Sequence, residues 1–155
     1  MILELLLLGK TKDTYLAHGI DEFSGRLSHY CRLSLRYLKV KKKLGRTVEA
    51  DVGEEGRLLL SQIPAGNLVV ALDSTGRQFT SEELARQIET WELRGEKGIS
   101  FLIGGPLGLS PAVVARADLV LSLSKMTFTH DMVRLFILEQ LYRAYTIKAG
   151  EKYHK

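Results

Sequence analysis

Four groups of residues in this chain have types and spacings that suit chemistry. Gly104-Gly105-Pro106-Leu107-Gly108 sets three glycines within five positions, directly after an apolar run. Such a turn lets a backbone approach a ligand closely, or simply reverses the chain. Taken alone, the tight turn is the plainer reading. Ser122-Leu-Ser-Lys-Met-Thr-Phe-Thr-His130 is rich in hydroxyls. With its backbone amides it suits an adenine or carboxylate pocket, and equally an ordinary capped connection into a helix. Arg143 offers a guanidinium fork and His154 an imidazole that titrates near neutral pH. Tyr153 beside it offers an aromatic face, although a pair so near a terminus also reads as a frayed end.

The familiar cofactor signatures fail. Gly9-Lys10-Thr11 follows an apolar run as a phosphate loop would, but the position that a Walker loop reserves for its first glycine holds Glu4. The dinucleotide fingerprint needs three spaced glycines there and only Gly9 is present. No G-x-S-x-G occurs. His18, His29, His130 and His154 are scattered, and Cys31 joins none of them at ligand spacing, so no metal site is expected. One cysteine excludes an internal disulfide and, with no signal peptide, favours a reducing cytoplasm. The apolar opening Ile2–Leu8 is interrupted by Glu4 and is too short to span a bilayer, so no membrane attachment is expected.

The elements that must position these groups follow from periodicity. Residues 2–8 read as a buried strand. Leu16, Ile20, Phe23, Leu27 and Tyr30 form one helical stripe, with Asp13 or Thr14 as N-cap. Residues 33–40 alternate as a second strand, and a helix follows over 47–63. Residues 67–73 are near-continuously apolar, as in a sheet covered on both faces. Thr80-Ser-Glu-Glu83 is a capping box opening a helix to Leu93. Strands over 99–103 and 119–123 flank a short helix begun by Ser110 and Pro111, and a long helix runs from His130 to Lys148. Apolar residues lie on more than one face of that last helix, which suits either a core helix or a subunit interface. The alternation predicts an α/β fold with a mostly parallel sheet flanked by helices, as one domain over residues 1–155. Ligands bind such sheets outside the carboxyl ends of the strands, so the loops after Asp73, Ile103 and Leu123 become the candidate site. The net charge of +4 is compatible with a polyanionic partner and equally with a basic protein that binds none.

Read together, Leu72-Asp-Ser-Thr-Gly76, Phe101–Leu109, Leu121–His130, Glu139–Ala144 and Tyr153-His154-Lys155 resemble, in order and spacing, the RlmH (YbeA-like) family of SPOUT methyltransferases. The resemblance runs the full length and is dense from residue 68 onward. It departs at Thr129, where the family has proline. The resemblance implies a SPOUT sheet with a C-terminal trefoil knot, and a homodimer whose active site is completed across the interface. It further implies methyl transfer from S-adenosyl-L-methionine to N3 of a pseudouridine in helix 69 of 23S rRNA, on assembled ribosomes. Carried over, the donor pocket comprises Leu72, Gly104, Gly105, Leu123, Ser124, Lys125, Met126, Thr127 and Phe128. A valine at Gly105 is then expected to abolish donor binding, by filling that space or straining the turn. Arg143, Tyr153 and His154 match the family's RNA-side residues. By residue type His154 suits a general base, while Arg143 suits stabilising charge on the pyrimidine. Residue types alone do not decide between the two. The basic run Lys39–Arg46 becomes a ribosome-facing surface or a solvated loop. Three alternatives share the coarse pattern: a SPOUT enzyme acting on transfer RNA, a ribosome-binding protein without turnover, and a flavodoxin-like nucleotide binder.

Overall fold

The computed structural model describes residues 1–41 and 43–155. Strands β1 (Ile2–Leu8), β2 (Arg32–Leu38), β3 (Leu68–Gln78), β4 (Gly98–Ile103) and β5 (Leu119–Ser122) alternate with helices α1 (Thr14–Leu27), α2 (Val48–Ser61), α3 (Ser81–Leu93), α4 (Pro111–Arg116) and α5 (His130–Lys148). The strands form one sheet in the order β2-β1-β4-β3-β5, with every pairing parallel.

Side chains alternate across a strand, and both faces of this sheet are covered. Leu3, Leu5 and Leu7 of β1 share one face with Val70, Leu72, Ile99, Phe101 and Ile103, under residues of α1, α3 and α5. Leu6, Leu8, Val69, Ala71 and Leu102 take the opposite face, under Leu59 of α2 and Val113 of α4. Each fully buried leucine contributes roughly 1.5–3 kcal/mol of transfer free energy. That alternation explains why β1 and β4 read as continuous apolar runs. Glu4, the interruption in β1, is buried on the second face, where it accepts from Ser100 Oγ at 3.1 Å and pairs with Arg36 at 3.2 Å.

The caps follow the expected chemistry. Thr80 and Glu83 make a reciprocal capping box on α3. Ser110 caps α4 with Pro111 in its first turn, and Thr129 caps α5 by accepting from the Met132 amide at 3.3 Å. Asp13 is the N-cap of α1 by backbone geometry, with no side-chain cap bond.

Strand β3 differs from its expected end at Asp73. Both Leu72 and Arg77 pair with Leu121, so the strand resumes beyond an irregularity and rejoins β5. Gly76 makes this approach feasible: a Cβ there would stand 2.5 Å from the Val120 carbonyl oxygen. Helix α5 packs against α1, α3 and β4, burying Ile137, Leu138, Leu141 and Ala144, while Phe136 stays exposed. Within one chain, much of its apolar surface is therefore core.

Candidate active site

The loops after β3, β4 and β5 converge on a cavity of about 460 Å³. Leu72, Gly104, Gly105, Leu123, Ser124, Met126, Thr127 and Phe128 all line it. Lys125, expected with them, does not line it and is exposed. Asp73, Ser74, Leu109, His130 and Val133 also face the cavity. Asp73 and His130 lie within the sequence motifs but outside the donor pocket that the family resemblance implies. A strand-end position or a helix start facing the same crevice was the available signal.

The loops are internally fixed. Gly108 donates to the Gly105 carbonyl at 3.0 Å, closing the turn, and adopts a φ of 81° that favours glycine. At Gly104 the constraint is proximity, since a Cβ would lie 2.8 Å from the backbone of Gly108. Gly105 has no such crowding and no positive φ. A Cβ there would meet only the Glu55 carboxyl, at an ordinary 3.5 Å. The strained-backbone argument for Gly105 thus falls away; crowding makes the demand at Gly104, and the positive φ makes it at Gly108. Ser122 Oγ donates to the Ser124 carbonyl at 2.8 Å, and Ser124 Oγ accepts from the Met126 amide at 3.0 Å. Across the cavity, Asp73 Oδ1 accepts from the backbone N–H and the hydroxyl of Thr75 at 2.9 and 2.6 Å. Phe128 meets Phe136 edge to face at 5.0 Å.

Arg143, Tyr153 and His154 form a second cluster, away from this cavity. Glu139 Oε1 accepts from Arg143 Nε at 3.1 Å and Nη2 at 2.5 Å, and from the Tyr153 hydroxyl at 3.0 Å. The guanidinium lies over the Tyr153 ring at 4.7 Å, and Tyr142 packs against that ring edge to face at 4.8 Å. Burial first, and the Glu139 hydrogen bond second, push the Tyr153 phenol upward, so it stays protonated near neutral pH. His154 Nε2 stands 2.6 Å from Glu82 Oε1, and its Nδ1 lies 3.4 Å from Arg143 Nη1. The Glu82 carboxyl is held low, chiefly by its own backbone amide and then by His154. The tail is thus tied down by polar contacts where a frayed end was an open reading.

None of these three residues lines the cavity. Arg143 follows His130 on the same helix, about 20 Å along the axis at about 1.5 Å per residue.

The family model described as predicted SPOUT methyltransferase matches residues 1–154. A ribosomal RNA large subunit methyltransferase H from Desulfotalea psychrophila is 59% identical over 152 residues, covering 98% of each chain. The protein of the same name from Clostridioides difficile is 45% identical over the whole of both chains. The chain belongs to the RlmH family of SPOUT methyltransferases. Among solved structures, a probable methylase family protein from Haemophilus influenzae superposes with a TM-score of 0.56 at 11% identity, covering 97% of this chain and 67% of that one. At that identity the likeness speaks to the fold alone. Among the described residues no cluster of His, Cys, Asp or Glu is placed to hold a metal ion, and no helix is long and apolar enough to cross a membrane.

In the RlmH family frame, the basic run Lys39–Arg46 has a mixed setting. Lys43 lies 3.8 Å from Glu54, which Arg46 also contacts, so part of that charge is compensated within the chain. Lys42, a member of the same run, lies outside the described residues.

Proposed function

We propose that this protein is a 23S ribosomal RNA methyltransferase that transfers a methyl group from S-adenosyl-L-methionine to N3 of a pseudouridine in helix 69, on assembled ribosomes. One observation carries the reading. The three loops that the family resemblance assigns to the donor meet in one cavity, in a chain 59% identical to a named large-subunit methyltransferase. The cavity has the volume of a small-molecule site. It offers what a nucleoside with an amino-acid tail needs: apolar Leu72, Leu123 and Phe128, the hydroxyls of Ser124 and Thr127, and close backbone at Gly104 and Gly105. The donor is a co-substrate whose sulfonium supplies an already activated methyl group. The protein's task is therefore alignment of N3 for in-line attack.

In this reading Arg143, Tyr153 and His154 form the RNA side. Tyr153 stacks on an unstacked base, and Arg143 stabilises negative charge as N3 loses its proton. The two clusters stand too far apart in one chain to reach the same atom. The site is therefore completed by a second copy, in a homodimer that sets the RNA-side cluster of one chain against the donor cavity of the other. The fold reading is one SPOUT domain over residues 1–155, cytoplasmic, with a C-terminal trefoil knot. Support for the knot comes from the family alone.

The test is to add the purified protein to ribosomes from a strain lacking the modification and map the methylated nucleotide. Methylation at the helix 69 pseudouridine is expected. Methylation of free transfer RNA, with ribosomes untouched, would replace this reading with the transfer RNA alternative.

A further inference from the structure

The cavity contains a histidine to which the roles above give no work. His130 opens α5 and lines the cavity with Leu72, Gly105 and Phe128. Its Nε2 lies 3.2 Å from Oδ1 of Asp131, whose side chain is only 8% exposed. That oxygen has no aligned hydrogen bond, although Arg134 Nη1 also stands 3.4 Å away. Both contacts are close in charge but poorly directed, so Oδ1 lacks a donor. Asp131 cannot swing away to find one. Its Oδ2 accepts from the Lys12 amide at 3.3 Å. The fully buried Arg134 beside it donates to the Leu8 carbonyl at 2.7 Å and to Thr11 Oγ1 at 3.1 Å, fixing the start of α5 to the end of β1. A buried acceptor without a donor calls for an explanation, and an imidazole N–H is a donor within reach.

We propose that His130 is the proton acceptor of the methyl transfer, with Asp131 as its positioning residue. The proposal rests on the RNA-methylation reading above. N3 of the neutral pyrimidine carries a proton, and its electron pair becomes available only when that proton leaves. The N3–H bond breaks, the proton passes to the free ring nitrogen of His130, and the N3 electron pair forms a bond to the donor's methyl carbon. The methyl–sulfur bond breaks with its electron pair kept on sulfur, which leaves S-adenosylhomocysteine. Once charged, the ring turns to align its Nε2–H with Asp131 Oδ1, 3.2 Å away, and later returns the transferred proton to solvent.

The charges around the ring suit this role. Burial is the dominant influence and pushes the His130 pKa down; Asp131 raises it, while Arg134 and Lys12 lower it further. A lowered pKa keeps the imidazole neutral near pH 7, the form that can accept a proton. His154 differs, with Glu82 against one ring nitrogen and Arg143 against the other.

The experiment compares wild type, His130→Gln, His130→Ala and His154→Ala in single turnover at saturating donor and ribosome. Circular dichroism and calorimetry with S-adenosylhomocysteine serve as fold and pocket controls. Both His130 variants should bind S-adenosylhomocysteine within a few-fold of wild type. Their transfer rate should fall about 100-fold or more and recover as pH rises, because N3 then ionises unaided. The loss in His154→Ala should persist across that pH range. A His130→Gln rate equal to wild type overturns the proposal, as does a loss with no pH recovery. Tenfold weaker S-adenosylhomocysteine binding in both folded variants also overturns it, by making His130 a donor-binding residue. A wild-type protein that binds donor but leaves ribosomes unmethylated is a separate outcome, which removes the RNA reading and the proposal together.

Discussion

Glu139 holds Arg143 through two of its nitrogens and takes the Tyr153 hydroxyl on the same oxygen, so one carboxylate orients both groups. A lysine cannot reproduce that grip, because an ammonium is a point charge without the planar fork or the face that lies over Tyr153. Arg143→Lys should therefore keep donor affinity and lower the single-turnover rate on ribosomes by about 10- to 100-fold, a loss of about 1.4–2.8 kcal/mol in transition-state stabilisation. Wild-type turnover by this variant would remove Arg143 from the RNA side. Cys31 illustrates the opposite case, a reactive type made inert by its surroundings. Burial pushes its thiol from the ordinary 9.0 up to about 11. A raised thiol pKa favours the neutral form, and two units correspond to about 100-fold less thiolate at neutral pH. Alkylation by iodoacetamide in the folded protein should be slower than in urea by about that factor. Equal rates would show the site to be open.

At the scale of the element, the glycine-rich turn gives a paired prediction. Gly104→Ala forces a Cβ against the Gly108 backbone, and neither side can yield without opening the turn. Its donor affinity should drop at least about tenfold, an effect of about 1.4 kcal/mol. Gly105→Ala places its Cβ at ordinary contact distance from Glu55 and should stay within about threefold of wild type by the same arithmetic. Calorimetry with S-adenosylhomocysteine checks both, and the reverse order would mean that the donor fills the space on the Glu55 side of Gly105, where the new Cβ would stand. The sequence made much of this architecture legible. Period-two alternation and near-continuous apolar runs located the strands, and Thr80 and Ser110 announced the helices they cap. The loops that build the cavity were legible because they leave the carboxyl ends of strands. The resumption of β3 was not, since Ser74, Thr75 and Gly76 are turn types and only tertiary pairing with Leu121 carries the strand onward. The tail's partners were equally hidden: Glu82 lies 72 residues from His154, and no local pattern reports a contact of that separation. His130 looked like part of a helix cap because its neighbour Asp131 acquires meaning only once Arg134, Thr11 and Leu8 close around it.

For the molecule as a whole, the separation of cavity and tail cluster predicts that one chain is not enough. Sedimentation at micromolar concentration should give twice the 17.4 kDa chain mass, and a strict monomer would end the shared-site reading. A mixing experiment is sharper. At a donor concentration well below the Kd of Gly104→Ala, a Gly104→Ala chain and a chain lacking Tyr153, His154 and Lys155 should each show little activity alone. Unfolded together and refolded as an equal mixture, half the dimers are mixed and each mixed dimer has one intact site. Activity should then return to about a quarter of wild type, as random pairing in a two-fold dimer requires. No recovery would place both groups in the same chain's site. The sheet order also affects how the protein is made. Strand β1 ends between β2 and β4, yet β4 comprises residues 98–103. On a growing chain β1 can pair with β2 early, while its other edge waits for roughly sixty more residues, several seconds at about 5–20 residues per second. Throughout that interval Leu-Glu-Leu-Leu-Leu-Leu presents unpaired backbone and apolar side chains to whatever is nearby. Overexpressed faster than chaperones can cover that edge, the protein should collect in inclusion bodies despite a stable native state, and slower synthesis at low temperature should shift it to the soluble fraction.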